Sequence, residues 1–277
     1  MDRLHRYLSR GAKRVHGWLD PYSAAFTANL AGIQTANGIQ GSVGEIGVHM
    51  GRLFILLKLL AGPNEKCFAI DVFDDQHLNT DKSGSGDREI FLANVARWTG
   101  NADLAVIQSS SLDVKPADIT RAAGPCRLVS IDGGHTETCV IHDLELIEAV
   151  LVVAGVVVLD DFFHPSWPGV AAGASRFFLD PATELRPFAI TPNKMYLARV
   201  SAHQFYRAAI RETQSYYFEK TVELFGHEVD VLGCDAWTFS MLRRLKVSPL
   251  GPYLVAAKAN LLTLLANSPL RARLGIR

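Results

Sequence analysis

Between Ser42 and Val200, short apolar runs alternate with amphipathic stretches. This alternation is typical of a parallel β-sheet with helices on both of its faces. The predicted helices in this region cover Gly51–Ala61, Arg88–Thr99 and Thr136–Leu151. The predicted strands, in chain order, are Val43–Val48, Cys67–Val72, Leu104–Gln108, Leu128–Ile131, Val156–Asp160, Arg186–Thr191 and Met195–Ala198. The sequence therefore predicts an α/β fold built on a mostly parallel sheet.

The last two predicted strands are joined only by Pro192-Asn193-Lys194. This connection is too short to cross over between parallel strands, so we expect an antiparallel hairpin near one edge of the sheet. Residues 1–40 are predicted to be a helical segment, with one helix around Leu4–Leu19 and a second over Ser23–Gln34, that serves as a lid or a dimer contact. Residues 41–200 are the predicted main domain, and residues 201–277 are a C-terminal extension.

The composition bounds the class of protein. Hydrophobic residues make up 48% and charged residues 20% of the 277 residues, which is enough for a large core. Lys+Arg and Asp+Glu balance at 28 each, so no overall charge draws the chain to nucleic acid or to an anionic membrane. The longest apolar run, Ala149–Leu159, is shorter than the roughly 20 residues that span a bilayer. We expect a cytoplasmic protein, and the apolar stretch Tyr253–Leu265 suggests a homo-oligomer.

The chain has four scattered cysteines and no C-x-x-C pair, which predicts buried thiols rather than a zinc site or a disulfide framework. They are Cys67, Cys126, Cys139 and Cys234.

The first strand ends in a glycine-containing turn, Gly44-Glu45-Ile46-Gly47-Val48-His49-Met50-Gly51. Gly47 and Gly51 allow close backbone approach, but their spacing differs from the G-x-G-x-x-G of dinucleotide sites, so NAD is disfavoured. A ligand with an amino-acid end fits better, and Glu45 could hold its ammonium group. The alternative is a tight strand–helix turn with a solvated glutamate.

The second and third strands end in polar residues as well. Asp71 ends the second strand, about 20 residues past the glycine turn, where a carboxylate can accept both hydroxyls of a ribose. The alternative is an exposed aspartate that caps the next segment. Ser110, just past the third strand, is a weaker candidate for contact with an adenine edge, since serine runs are common in loops.

The fourth and fifth strands end in Asp132 and in Asp160-Asp161. If these strands are neighbours, three carboxylates converge, and a divalent cation such as Mg²⁺ or Mn²⁺ would relieve their repulsion. The alternative is that one aspartate caps a helix and another is solvated. His135, three residues after Asp132, could take a proton from a substrate hydroxyl, or it could simply be a capping or surface histidine.

These motifs together resemble a class I S-adenosylmethionine-dependent methyltransferase. More narrowly they are similar to the macrocin-type and rhamnosyl O-methyltransferases, over about residues 40–200. The resemblance rests on the glycine turn, Ile70-Asp71, Ile131-Asp-Gly-Gly-His135 and Val157-Val-Leu-Asp-Asp161, and it extends to Trp167-Pro-Gly-Val170 and Asn193-Lys194.

The resemblance implies a Rossmann-like, seven-stranded sheet whose last strand is inserted antiparallel. It implies S-adenosylmethionine contacts at Glu45, Gly47 and Asp71, with Ser110 near the adenine, and we assign Gly51 and Asp132 to the same cofactor set. In metal-dependent members, Mg²⁺ is held by the aspartates that match Asp132, Asp160 and Asp161. The third strand departs from the family in having Ser110 where an acidic residue is common, so adenine recognition would depend on backbone amides.

The expected reaction is O-methylation of a small molecule, with sugars or sugar-containing metabolites as the leading acceptors. The metal would lower the pKa of the acceptor hydroxyl, and His135 or a carboxylate such as Asp132 would remove its proton. One alternative is a metal-dependent hydrolase that uses the aspartate cluster. Another is a non-catalytic protein that binds the cofactor.

Overall fold

The computed structural model describes residues 3–101, 103–214 and 217–233, and the described residues up to Leu232 form one compact unit. Cys234 and Tyr253–Leu265 lie outside the described residues. The strands are β1 (Ser42–Ile46), β2 (Cys67–Asp71), β3 (Ala105–Gln108), β4 (Cys126–Ile131), β5 (Leu151–Asp160), β6 (Leu185–Ile190), β7 (Lys194–Arg199), β8 (Phe218–Leu224) and β9 (His227–Leu232).

All nine strands form one sheet in the order β3-β2-β1-β4-β5-β7-β6-β9-β8. Strands β1 to β5 are parallel, and β7 is inserted antiparallel between β5 and β6, as the short connection predicts. The prediction of seven strands with one antiparallel member is wrong in its count, because β8 and β9 extend the sheet. Strand β9 pairs parallel to β6, and β8 pairs antiparallel to β9.

Eight α-helices accompany the sheet in the described part of the chain. They are α1 (Arg3–Arg6), α2 (Pro21–Ala36), α3 (Arg52–Leu60), α4 (Arg88–Thr99), α5 (Pro116–Ala123), α6 (Glu137–Val150), α7 (Pro168–Leu179) and α8 (Val200–Gln214). None is long and apolar enough to cross a bilayer. Cys67, Cys126 and Cys139 are buried free thiols, as predicted.

Two helix predictions need correction. The first N-terminal helix does not extend to Leu19, because α1 ends at Arg6 and gives way to a π turn and a 3-10 turn. The helix predicted to end at Leu151 ends one residue earlier, and Leu151 begins β5. Helix α2 starts at Pro21, two residues before the predicted Ser23, and Asp20 caps it by accepting hydrogen bonds from two main-chain N–H groups.

The register of the central strands brings the functional residues to one edge of the sheet. Ile46 pairs with Ile70 on one side and with Ile131 on the other. Ile131 in turn pairs with Leu159, and all four side chains are buried. Burial of this apolar row fixes the level at which each strand ends. The residues that follow the row are Gly47, Asp71, Asp132 and Asp160.

Candidate active site

The glycine turn after β1 is required by the packing of the chain itself. Gly47 has φ +82°, and a Cβ there would overlap the carbonyl oxygen of Asp132. Gly51 has φ +88°, and a Cβ there would lie 2.9 Å from the Phe91 ring. Both positions need glycine for conformation and for close approach, so the turn after β1 lies directly against the turn after β4.

Glu45 is buried on β1 at 2% exposure. Its Oε2 has no hydrogen-bond partner among the described residues. Burial raises the pKa of this carboxyl well above its ordinary value, although Lys194 opposes the shift. A buried carboxylate oxygen without a donor is costly, and a cationic group such as an ammonium would satisfy it.

Asp71 ends β2 beside the glycine turn. Its Oδ2 accepts a hydrogen bond from the His49 N–H at 2.8 Å, and its Oδ1 accepts one from the Phe73 N–H at 2.7 Å. Burial raises the pKa of Asp71, and these two bonds hold the carboxylate in place. Each oxygen keeps one lone pair for a further donor such as a ribose hydroxyl.

Ser110 follows β3, whose last residue, Gln108, pairs with Asp71. The neighbouring Ser109 N–H donates to the main-chain oxygen of Asp71 at 3.1 Å. Ser110 then begins the 3-10 turn Ser111–Asp113. Of the three residues predicted for one ligand, Glu45 and Asp71 thus lie on the neighbouring strands β1 and β2, and Ser110 lies in the loop that follows β3.

Asp132, His135 and Asp161 converge beside the glycine turn. One potential metal-ligand atom from each of the three residues lies within 4.8 Å of the other two, which is close enough for them to share a cation. His135 Nε2 lies 3.4 Å from Asp161 Oδ2 and 4.0 Å from Asp132 Oδ1. Asp161 has φ +59°, a left-handed conformation uncommon outside glycine, and strain of this kind clusters at functional sites.

Asp160 has partners of its own within the fold. The antiparallel register places Lys194 directly opposite Asp160, and the two side chains form an ion pair. The Oδ1 of Asp160 accepts hydrogen bonds from Asn193 Nδ2 at 2.5 Å and from the Asp161 N–H at 3.0 Å. The structure therefore brings Asp132 and Asp161 together with His135, while Asp160 lies behind them and is already paired.

The charges of this group are unevenly matched. Burial and the neighbouring Asp160 raise the pKa of Asp132 well above its ordinary value, although 28% of its side chain is exposed. Lys194 is buried, yet Asp160 and Asp132 raise its pKa by stabilising the ammonium. Although burial alone would raise the pKa of Asp161, hydrogen bonds from His135 and Asn193 lower it.

His135 is fixed on several sides by its neighbours. Its Nδ1 lies 2.9 Å from Asp81 Oδ2, and its ring stacks on Trp167 with centroids 4.2 Å apart. Helix α7 packs closely against this segment, because a Cβ at Gly169 would overlap the carbonyl oxygen of His135. Burial alone would lower the pKa of His135, but hydrogen bonds to Asp161 and Asp81 raise it.

The sequence analysis missed two charged residues of this site. Asp81 lies in a loop with no periodic pattern, 54 residues from its partner His135. Lys194 enters the sequence prediction through the hairpin connection and the family resemblance but with no role of its own, although its position in that hairpin could have placed it opposite the end of β5.

Comparison with known proteins decides the family of the central segment. A family model described as a methyltransferase domain matches residues 45–162. Residues 45–162 are a methyltransferase domain. This match confirms the predicted class I methyltransferase resemblance and the prediction of a methyltransferase enzyme. No curated protein sequence matches the chain.

Several solved structures share the fold of this methyltransferase domain. The O-methyltransferase NovP is similar with a TM-score of 0.54 at 16% identity, over 66% of this chain and 82% of its own. An O-methyltransferase from Bacillus cereus in complex with SAH has a TM-score of 0.51 at 15% identity, over 71% and 90%. TomG from Streptomyces achromogenes, an O-methyltransferase of tomaymycin synthesis in complex with SAM, has a TM-score of 0.51 at 17% identity, over 72% and 90%.

Proposed function

We propose that this chain is an S-adenosylmethionine-dependent O-methyltransferase that acts on a hydroxyl of a small molecule, with sugars or sugar-containing metabolites as the leading class. One observation carries the proposal. Two carboxylates, the buried Glu45 and the half-buried Asp71, lie at the same sheet edge as the group of Asp132, His135 and Asp161. In this proposal residues 41–200 bind the cofactor, and residues 1–40 form a lid or a dimer contact.

The residues at the glycine turn fit an adenosyl amino acid. The unpartnered Oε2 of Glu45 suits its ammonium group, and the free lone pairs of Asp71 suit its ribose hydroxyls. Ser110 and the neighbouring backbone amides would lie toward the adenine. When bound, S-adenosylmethionine supplies an electrophilic methyl group on a positively charged sulfur. The chain's contribution would be to hold the methyl-bearing sulfur near Asp132 and to align the acceptor hydroxyl with the methyl group.

The carboxylates also fit a divalent cation such as Mg²⁺ or Mn²⁺. Asp132 and Asp161 converge, and the only buried lysine beside them is already paired with Asp160. Asp132 and Asp161 would hold the ion directly, with Asp160 adding negative charge from behind. A bound cation would supply positive charge that lowers the pKa of a nearby hydroxyl.

His135 is the group best placed to move the proton. Its Nε2 faces the carboxylates at the sheet edge, while its Nδ1 is held by Asp81. We propose that, in the neutral ring whose Nδ1–H donates to Asp81, Nε2 accepts the proton of the acceptor hydroxyl, with Asp132 as the alternative base. Asp81 and Asp161 favour the protonated ring, so they stabilise the state that follows proton transfer.

Calorimetric titration with S-adenosylmethionine, with and without Mg²⁺, tests the cofactor site. We expect Asp71→Ala to weaken binding about tenfold or more, since hydrogen bonds to a charged group contribute roughly 1.5–3 kcal/mol. The matched control is Asp74→Ala, which removes an exposed carboxylate of the same loop and leaves binding unchanged. Equal affinities for Asp71→Ala and wild type contradict the cofactor site.

Asp132→Asn separates chemistry from binding. We expect it to bind S-adenosylmethionine as wild type does but to lose about a hundredfold or more of its methyl transfer, and its dependence on Mg²⁺. Transfer of tritiated methyl to a panel of sugar and phenolic hydroxyls measures this loss. A variant with normal turnover excludes the proposed metal site. Binding of S-adenosylmethionine without transfer to any acceptor would instead support the non-catalytic alternative.

A further inference from the structure

The loop between β2 and α4 crosses the proposed cofactor site and returns to the sheet edge at three places. A Cβ at Gly86 would lie 3.1 Å from Asp71 Oδ1, and one at Gly84 would lie 3.5 Å from the His49 ring. The third place is Asp81, which contacts His135. The loop therefore touches the ends of β1, β2 and β4 together.

Asp81 is the charged residue of this loop that contacts the candidate base. Its Oδ2 accepts hydrogen bonds from the His135 main-chain N–H at 2.5 Å and faces the ring Nδ1 at 2.9 Å. Its Oδ1 accepts from Ser83 N–H at 2.9 Å and Ser83 Oγ at 2.6 Å. Only 10% of the Asp81 side chain is exposed. One carboxylate thus fixes both the backbone and the ring of His135.

The rest of the His135 ring is also constrained. Trp167 stacks on one face, and Nε2 points to Asp161. Without Asp81, the ring would lose the bond that sets its rotation about the Cβ–Cγ axis, and its plane would no longer be held against the Trp167 indole. The direction of Nε2 then depends on the weaker 3.4 Å contact with Asp161.

We propose that Asp81 is a positioning residue that orients His135 for proton removal, and that the loop after β2 delivers it across the bound cofactor. Asp81 touches no reacting atom; it acts through His135. The proposal rests on the function proposed above. Outer-shell partners that orient metal-ligating histidines typically contribute about ten- to a hundredfold to activity, and we expect the same scale for a partner that orients a histidine base.

The test compares Asp81→Ala with Lys82→Ala, an exposed charged residue of the same loop. We expect Asp81→Ala to lower the rate of methyl transfer by about ten- to a hundredfold. Its calorimetric affinity for S-adenosylhomocysteine should stay within about threefold of wild type. Lys82→Ala should match wild type in both measurements. Asp81→Asn, which keeps an oxygen at the same place, should recover part of the rate.

A spectroscopic measurement reports the ring position without any acceptor. The His135 ring stacks on the Trp167 indole, so we expect it to quench that indole, and a ring that turns away in Asp81→Ala should raise tryptophan emission. The same substitution in a Trp167→Phe background should produce no such rise, which assigns the change to that indole.

Three results would overturn the proposal. They are a rate for Asp81→Ala within threefold of wild type, a loss of S-adenosylhomocysteine affinity in proportion to the rate, or an unchanged Trp167 emission. If wild type itself binds no S-adenosylhomocysteine or methylates no acceptor, the proposed function fails instead. The emission measurement then still decides whether Asp81 sets the position of the His135 ring.

Discussion

Two buried charge clusters of this protein differ in how their charges are matched. The hairpin cluster, named for the hairpin of β8 and β9, consists of Arg207 and Arg211 on α8 and Asp230 on β9. Asp230 is fully buried and accepts hydrogen bonds from both arginines and from Thr221. Burial alone would raise the pKa of Asp230, but these bonds lower it.

The strand-end cluster consists of Glu45, Asp132, Asp160, Asp161 and Lys194. Here a single lysine faces four carboxylates, and the pKa values of Glu45 and Asp132 are both raised by burial and by the neighbouring charge of Asp160. Balanced charges stabilise the fold, whereas unbalanced buried charges cost stability and are retained where a ligand supplies what is missing. This contrast supports the proposed functional role of the strand ends, whereas the charges of the hairpin cluster are matched within the fold.

Removing the lysine of the strand-end cluster should have the largest effect. We expect Lys194→Met to lower the free energy of unfolding by about 3–5 kcal/mol near neutral pH, because it leaves buried carboxylates without their fixed cation. Urea denaturation monitored by circular dichroism measures the loss. Mg²⁺ should raise the melting temperature of this variant more than that of wild type. Equal stabilisation of both proteins by Mg²⁺ would contradict the charge imbalance.

The hairpin cluster should respond less strongly, and without help from a cation. We expect Asp230→Asn to lower the free energy of unfolding by about 2 kcal/mol, since two guanidinium groups lose a charged acceptor but keep an oxygen. Mg²⁺ should not change this loss. The control is Glu228→Gln, whose side chain is 68% exposed and whose ion pair with Arg207 contributes less than about 1 kcal/mol. A larger loss for Glu228→Gln than for Asp230→Asn would invert the comparison.

The strand-end cluster could be predicted in part from the sequence because its acidic residues follow apolar strands. Asp71, Asp132 and Asp160 each come directly after a buried run, so their place at the sheet edge follows from the strand assignment. The place of Lys194 could be predicted only with the antiparallel register, in which it lies opposite Asp160. The place of Asp81 depends on the path of a loop, and no periodic pattern in the sequence predicts that path.

The two strands that carry the hairpin cluster, β8 and β9, and two of the helices were harder to predict from the sequence. Strand β8 is largely exposed, and the last four residues of β9 are buried in succession, so neither has the alternation of a typical half-buried strand. Helices α5 and α7 were not predicted, although each begins with a proline, Pro116 and Pro168, at the position where proline favours a helix start. The extension of the sheet by β8 and β9 depends on tertiary pairing with β6.

The pair of Asp81 and His135 allows a smaller test of the same comparison. Asp81 lies in the loop beside the strand-end cluster, and unlike the carboxylates of that cluster it has a charged partner of its own. Although burial opposes it, hydrogen bonds from Ser83 and His135 lower the pKa of Asp81 to about 2. A carboxyl whose pKa is lower in the folded state stabilises the protein fully above its unfolded pKa, about 3.9, and this contribution is lost as the pH falls toward 2. We therefore expect the free energy of unfolding of wild type to exceed that of Asp81→Asn by about 1–2 kcal/mol near pH 6, and this difference should shrink between about pH 5 and pH 3.

Chemical denaturation at a series of pH values measures the difference. The control is Lys82→Ala, whose difference in free energy of unfolding from wild type should stay constant. A difference between wild type and Asp81→Asn that does not change over this range would show that the Asp81 charge is not paired in the folded protein, and the contrast between matched and unmatched carboxylates would then not extend to this loop.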